Sequence, residues 1–147
     1  MKNNPKMLIL DDNEDVLSAL SAYYREKNFT VASASNGEEG FKLLEAEKMG
    51  FDIVLTDLVM PNISGVGVIA FVKKNRADTV VIAMTGWGDH PAALASEARA
   101  DWILRKPIKL DELDTIIAEL LAQREPKKIQ QPQFQPAPSL RGASATS

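Results

Sequence analysis

The sequence predicts an α/β fold, a doubly wound five-stranded parallel sheet with five helices. Short apolar runs alternate five times with segments of helical periodicity. The central runs are continuously apolar rather than alternating, as in strands covered on both faces. Acidic and polar residues follow the runs, at the edge where open α/β sheets place their ligands.

The first run, Lys6 to Leu10, ends at Asp11-Asp12. Asn13-Glu14-Asp15 complement the positive end of a helix dipole, and Val16, Leu17, Leu20 and Tyr24 recur at helical spacing to about Lys27. Phe29 to Ala34 reads as the second strand. Asn36-Gly37-Glu38-Glu39 opens a second helix with Phe41, Leu43 and Leu44 near its buried side. The third strand runs from Asp52 to Asp57, Pro61 and Gly65 punctuate a loop, and Val66 to Lys74 forms the third helix. Val80 to Met84 is the most strand-like run, broken by Thr85-Gly86-Trp87-Gly88. A short Ala-rich helix from Pro91 to about Arg99 follows. Trp102-Ile103-Leu104 is the fifth strand, closed by Lys106-Pro107. Leu110, Leu113, Ile117, Leu120 and Leu121 mark a last amphipathic helix ending near Gln123.

From Pro126 the composition shifts to Gln, Pro, Ser and Ala without periodicity. The expected organisation is a folded domain over 1–123 and a flexible Pro/Gln/Ser-rich tail or linker over 124–147. A chain of 147 residues needs no staples for its core. With no Cys, disulfides and thiolate metal sites are excluded, and a single His (His90) excludes a His-rich metal site. Residues 1–123 hold 13 Lys/Arg against 19 Asp/Glu, whereas the tail holds four basic residues and one acid. An acidic folded part argues against direct nucleic-acid binding. The apolar runs are too short to span a membrane and no signal segment opens the chain, so the expected location is the cytoplasm.

The strand ends carry the chemistry: Asp11 and Asp12 after the first, Asp57 after the third, Thr85 after the fourth and Lys106 after the fifth. Converging carboxylates repel unless a cation joins them. A few carboxylates, a backbone carbonyl and retained waters suit Mg²⁺. A hydroxyl and an ammonium beside them suit the oxygens of a phosphoryl group. Each residue also has a plainer reading. Asp57 could be a loop acid, Asp12 or Asn13 an N-cap, Thr85 an exposed strand end and Lys106 a solvated lysine. Together, in strand order, the plainer readings are hard to sustain.

The set Asp11-Asp12, Asp57-Leu58-Val59-Met60-Pro61 with Gly65, Met84-Thr85-Gly86 and Lys106-Pro107 resembles the receiver domain of bacterial two-component response regulators, over about residues 5–123. The resemblance implies a flavodoxin-like receiver fold with Asp57 as phosphoacceptor. It implies Mg²⁺ held by Asp12, Asp57 and the Val59 backbone carbonyl, with Asp11 acting through water. It makes Thr85 and Lys106 the phosphoryl-binding switch pair, catalytic together with Asp57. The phosphodonor would be a sensor histidine kinase or a histidine phosphotransfer protein. The output would be a downstream protein bound at the face of the fourth helix, fifth strand and fifth helix, and the resemblance admits a phosphorylation-linked dimer. Such a protein is not an enzyme beyond its own phosphorylation and autodephosphorylation.

Two departures bear on the switch. The family's aromatic position, three before the Lys, holds Ile103, and the aromatic is Trp102 one place earlier. Strand parity points these two side chains to opposite faces unless the strand bulges. The stretch from Thr85 to Lys106 is also one residue shorter than usual. One competing function is a receiver-like adaptor that works without phosphorylation, which would not need the intact acids, Thr85 and Lys106. Another is a Mg²⁺-dependent phosphohydrolase of the haloacid dehalogenase type, which needs an acid two residues after its nucleophile, where Val59 stands. After Gln123 there is no room for a DNA-binding domain, so the expected protein is a stand-alone receiver or the N-terminal fragment of a larger regulator.

Overall fold

In a computed structural model of the protein, the structure describes residues 4–60, 64–86 and 99–129. Trp87, the predicted fourth helix up to residue 98 and the chain beyond Ile129 lie outside them. The most apolar runs take the middle of a single parallel sheet. β1 (Lys6–Leu10), β3 (Ile53–Asp57) and β4 (Val80–Thr85) are flanked by β2 (Thr30–Ala34) and β5 (Trp102–Arg105), in the order β2-β1-β3-β4-β5. Every residue of β3 and β4 is buried, while β2 and β5 keep exposed positions at the two edges. A parallel interior strand needs apolar side chains on both faces, and an edge strand does not.

Leu8, Leu10, Val54, Val81, Ala83 and Ile103 share one face of the sheet. On it lie α2 (Gly37–Ala46) and α3 (Gly65–Asn75), through Leu44, Val68, Ile69 and Val72. Met7, Ile9, Leu55, Ile82 and Met84 alternate with these and are fully buried on the opposite face. Helix α1 (Glu14–Glu26) buries Leu20 and Tyr24. Each of these helices starts on a side-chain cap. Asn13 accepts the Val16 N–H at 3.1 Å, Asn36 accepts the Glu39 N–H at 2.8 Å, and Ser64 accepts the Gly67 N–H at 3.4 Å.

The last helix, α4 (Leu110–Ile129), outruns the end predicted near Gln123 and continues through Pro126. The sequence reading ended the helix where its apolar periodicity stops and read the non-periodic composition from Pro126 as linker or tail. In composition Arg124, Glu125, Lys127 and Lys128 around Pro126 are good helix formers. The chain forms two compact units, Met1–Leu113 and Asp114–Ser147. The first holds the sheet, α1 to α3 and the start of α4; the second holds the rest of α4. Among the described residues no helix is long and apolar enough to cross a membrane.

Two carboxylates pin the sheet at the end away from Asp11 and Asp57. Asp52 accepts the Lys6 N–H at 2.8 Å and returns its own N–H to the Lys6 carbonyl at 2.8 Å. Asp101 accepts the Val81 N–H and the Lys73 ammonium, each at 2.7 Å. These bonds fix the starts of β1, β4 and β5, and so the positions at which the strands end.

Candidate functional site

Strand order reverses between β1 and β3, so the chain leaves their adjacent carboxyl ends in opposite directions and opens a crevice. Asp11 follows β1 and Asp57 ends β3, and both are buried, at 0% and 6% exposure, while Asp12 is exposed. Carboxylate oxygens of Asp11, Asp12 and Asp57 lie within 4.8 Å of one another. Lys106 reaches in from the end of β5, with Nζ 2.8 Å from Asp11 Oδ2 and 3.1 Å from Asp57 Oδ2. It is no solvated lysine. The Asn13 N–H donates to Asp11 Oδ1 at 2.9 Å and the Val59 N–H to Asp57 Oδ1 at 3.2 Å.

Thr85 is 1% exposed, so it is not an exposed strand end, and its carbonyl accepts the Lys106 N–H at 2.8 Å. Its neighbour Met84 pairs with Asp57 across β3 and β4. Thr85 therefore sits one step beyond the residue opposite Asp57. Asn13, not Asp12, caps α1, which leaves the Asp12 carboxylate uncommitted to the helix. On β5, Ile103 packs against the α2/α3 side of the core, whereas Trp102 is 46% exposed. Their opposite parity in the sequence is kept, without a bulge in the β4–β5 register. A groove of about 850 Å³ lined by Val16, Ala19, Leu20, Pro107, Ile108 and Leu110 borders Lys106.

Two contacts at the site escaped the sequence reading. Gly65 opens α3 directly against the end of β3, where a Cβ would collide with the Asp57 main-chain oxygen and come within 2.8 Å of Leu58 Cα. The motif flagged this glycine; only the packing gives its reason. Thr56, a hydroxyl within an apolar run, donates to the Asp57 carbonyl at 2.9 Å. A polar residue at a strand position buried on both faces was the signal for it.

Burial pushes the Asp57 carboxyl above its ordinary value. The charge and hydrogen bond of Lys106 and the Val59 N–H oppose that rise, and the charge of Asp11 adds to it. For Lys106, burial pulls down, but the Asp11 hydrogen bond and the charges of Asp57 and Asp11 outweigh it and raise the ammonium's pKa. The crevice thus keeps Lys106 charged and, among the described residues, is still short of positive charge. Three carboxylates with converging oxygens fit a hard divalent ion such as Mg²⁺.

A carboxyl whose folded pKa is raised holds its proton more tightly folded than unfolded. Without metal, its contribution to stability falls as pH rises from 3.8 through the folded value. Asp57→Asn removes that burden and leaves Lys106 its Asp11 partner. In chelator at neutral pH the variant melts a few degrees above wild type, and the gap closes as pH falls toward 3.8. Thermal melts across pH check this; a variant that melts lower at neutral pH contradicts it.

The family model for the response regulator receiver domain matches residues 7–118. The chain belongs to that family. It is 27% identical over 133 residues to the response regulator SaeR of Staphylococcus epidermidis, covering 87% of this chain and 57% of the relative. It spans little more than half the length of that curated relative. Among solved structures it is similar to a response regulator receiver domain protein from Clostridium thermocellum, at 30% identity and TM-score 0.75, covering 85% of this chain and 98% of that one. It is also similar to the response regulator TrrA of Thermotoga maritima, solved in complex with Mg²⁺–BeF, at 29% identity and TM-score 0.70. That match covers 79% of this chain and 98% of TrrA. The receiver-family identity and the five-stranded parallel sheet read from the sequence both stand. The predicted fourth helix lies outside the described residues.

Proposed function

We propose that this receiver accepts a phosphoryl group from a phosphohistidine, on a partner histidine kinase or phosphotransfer protein, onto Asp57. The observation that carries the reading is the convergence of Asp11, Asp12, Asp57 and Lys106 in one crevice. An Asp57 carboxylate oxygen attacks phosphorus, the phosphorus–nitrogen bond of the donor breaks, and the imidazole leaves with the bonding pair. Asp12, Asp57 and the Val59 carbonyl would hold Mg²⁺, with Asp11 acting through water. When bound, Mg²⁺ supplies charge neutralisation to the phosphoryl oxygens. TrrA, solved with Mg²⁺–BeF, supports this assignment by similarity. Lys106 stays protonated and pairs with the incoming phosphoryl group, and the Thr85 hydroxyl donates to it.

Phosphorylation then biases a two-state equilibrium toward a form whose β5 side binds a downstream protein. Ile103 stands where the family's switch aromatic stands, so its inward turn moves less volume, and Trp102 lies on the other side of β5. The protein catalyses its own phosphorylation and dephosphorylation and no other reaction. The exposed apolar Val59 offers no acid or base for a haloacid-dehalogenase-type hydrolysis. The intact acids and Lys106 favour phosphorylation over a phosphorylation-independent adaptor. We place the protein in the cytoplasm, where its phosphodonors work. The test is incubation with acetyl phosphate: one phosphoryl group is gained in Mg²⁺ and none in chelator, and labelling undiminished by chelator contradicts the reading.

A further inference from the structure

Thr56 is fully buried on the apolar face of β3, opposite Leu10 on one side and Ala83 on the other. A hydroxyl there is costly unless it is hydrogen-bonded. It donates to the main-chain oxygen of Asp57 at 2.9 Å. The β1–β3 pairing ends at Leu10 and Thr56, so this carbonyl lies beyond the last pair with β1. The next polar groups are held as well. The Leu58 N–H donates to the Met84 carbonyl at 3.0 Å, the Leu58 carbonyl accepts the Gly65 N–H at 3.0 Å, and the Val59 N–H reaches Asp57 Oδ1 at 3.2 Å. Within this run, the Asp57 carbonyl is held by the side chain of its preceding neighbour, and the Val59 N–H by the Asp57 carboxylate itself.

Rotation about the Asp57 Cα–C bond moves this carbonyl and carries the Val59 peptide relative to the Asp57 carboxylate. Nucleophile and loop carbonyl have to be presented together for a cation and a phosphoryl group to be shared between them. We propose that the Thr56 hydroxyl is a positioning group for phosphoryl transfer, locking the Asp57 carboxylate and the Val59 carbonyl into one geometry. The inference rests on the phosphorylation reading above and adds a residue outside the set that touches the reacting atoms.

Thr56→Val keeps the side chain's shape and deletes the donor; Thr56→Ser keeps the donor and deletes a methyl group. Three quantities are measured for both variants and wild type: the labelling rate with acetyl phosphate, the Mg²⁺ dissociation constant, and hydrogen exchange of the Leu58 and Val59 amides. In the valine variant, labelling rate and Mg²⁺ affinity fall roughly five- to tenfold, the scale a lost neutral hydrogen bond supports. Amide exchange at Val59 speeds up, and the serine variant recovers to within about twofold of wild type. A valine variant with wild-type rate, affinity and exchange overturns the proposal. So does equal impairment of both variants, which would assign the effect to shape instead. Mg²⁺ affinity and exchange are read on unphosphorylated protein, so they decide the role of Thr56 even if wild type takes no label, the outcome that defeats the phosphorylation reading itself.

Discussion

Asp57→Asn takes no phosphoryl group from acetyl phosphate under conditions in which wild type takes one. The reason is chemical. A carboxylate oxygen attacks phosphorus and becomes the bridging oxygen of an acyl phosphate, whereas a carboxamide is a poor nucleophile. The Asn side chain nevertheless keeps an oxygen that can accept the Val59 N–H, and Lys106 keeps Asp11 at 2.8 Å. The fold therefore survives while the chemistry stops. Intact-mass spectrometry of both proteins, with their melts in chelator, separates the two. Labelling of the Asn variant at the wild-type level removes Asp57 from the acceptor role. Asp12→Ala serves as the partner variant, since Asn13 and not Asp12 caps α1. It loses Mg²⁺ affinity and label without losing its fold.

Gly65→Ala has the largest expected effect on stability. The added methyl would overlap the Asp57 main-chain oxygen and crowd the Asp57 carbonyl carbon and Leu58 Cα, each at 2.8 Å. These are backbone atoms of the central strand's end and cannot swing aside. Either α3 withdraws from β3, uncovering Val68, Ile69 and Val72, or the end of β3 shifts. We expect a loss of roughly 3 kcal/mol or more in denaturant unfolding, at the upper end of overpacking costs. Labelling of the fraction that folds is impaired as well, because the displaced segment carries Asp57. Gly40→Ala is the contrast. There the atoms nearest the added methyl are the side-chain carbons of Leu10 rather than backbone, and the cost is smaller. Equal destabilisation by the two substitutions would contradict the close approach of α3 to Asp57.

Fold and site differ in how they are written in the sequence. The continuous apolar runs of β1, β3 and β4 are a direct consequence of burial on both faces, so they are legible without any partner in view. The three caps at Asn13, Asn36 and Ser64 are local, and two of them, with their acidic first turns, show in the sequence. Asp11, Asp57 and Lys106 are legible because each falls at a strand's end, and the sheet topology then brings them together. The roles of Thr56, Gly65, Asp52 and Asp101 were not legible. Each depends on which backbone atom from another part of the fold, or from the next turn of chain, comes within reach. The end of α4 was placed too early because the apolar periodicity that marks the helix stops near Gln123, while the helix runs on to Ile129.

Asp57, in the crevice with Asp11, Asp12 and Lys106, is the residue proposed to carry the phosphoryl group. An acyl phosphate is reduced by borohydride to an alcohol, which turns a phosphorylated aspartate into homoserine and leaves a free carboxylate untouched. Protein treated with acetyl phosphate and Mg²⁺, reduced, digested and sequenced by tandem mass spectrometry should carry homoserine at position 57 alone, and none when chelator replaces Mg²⁺. Homoserine at Asp11 or Asp12, or a label that resists borohydride, would contradict the account.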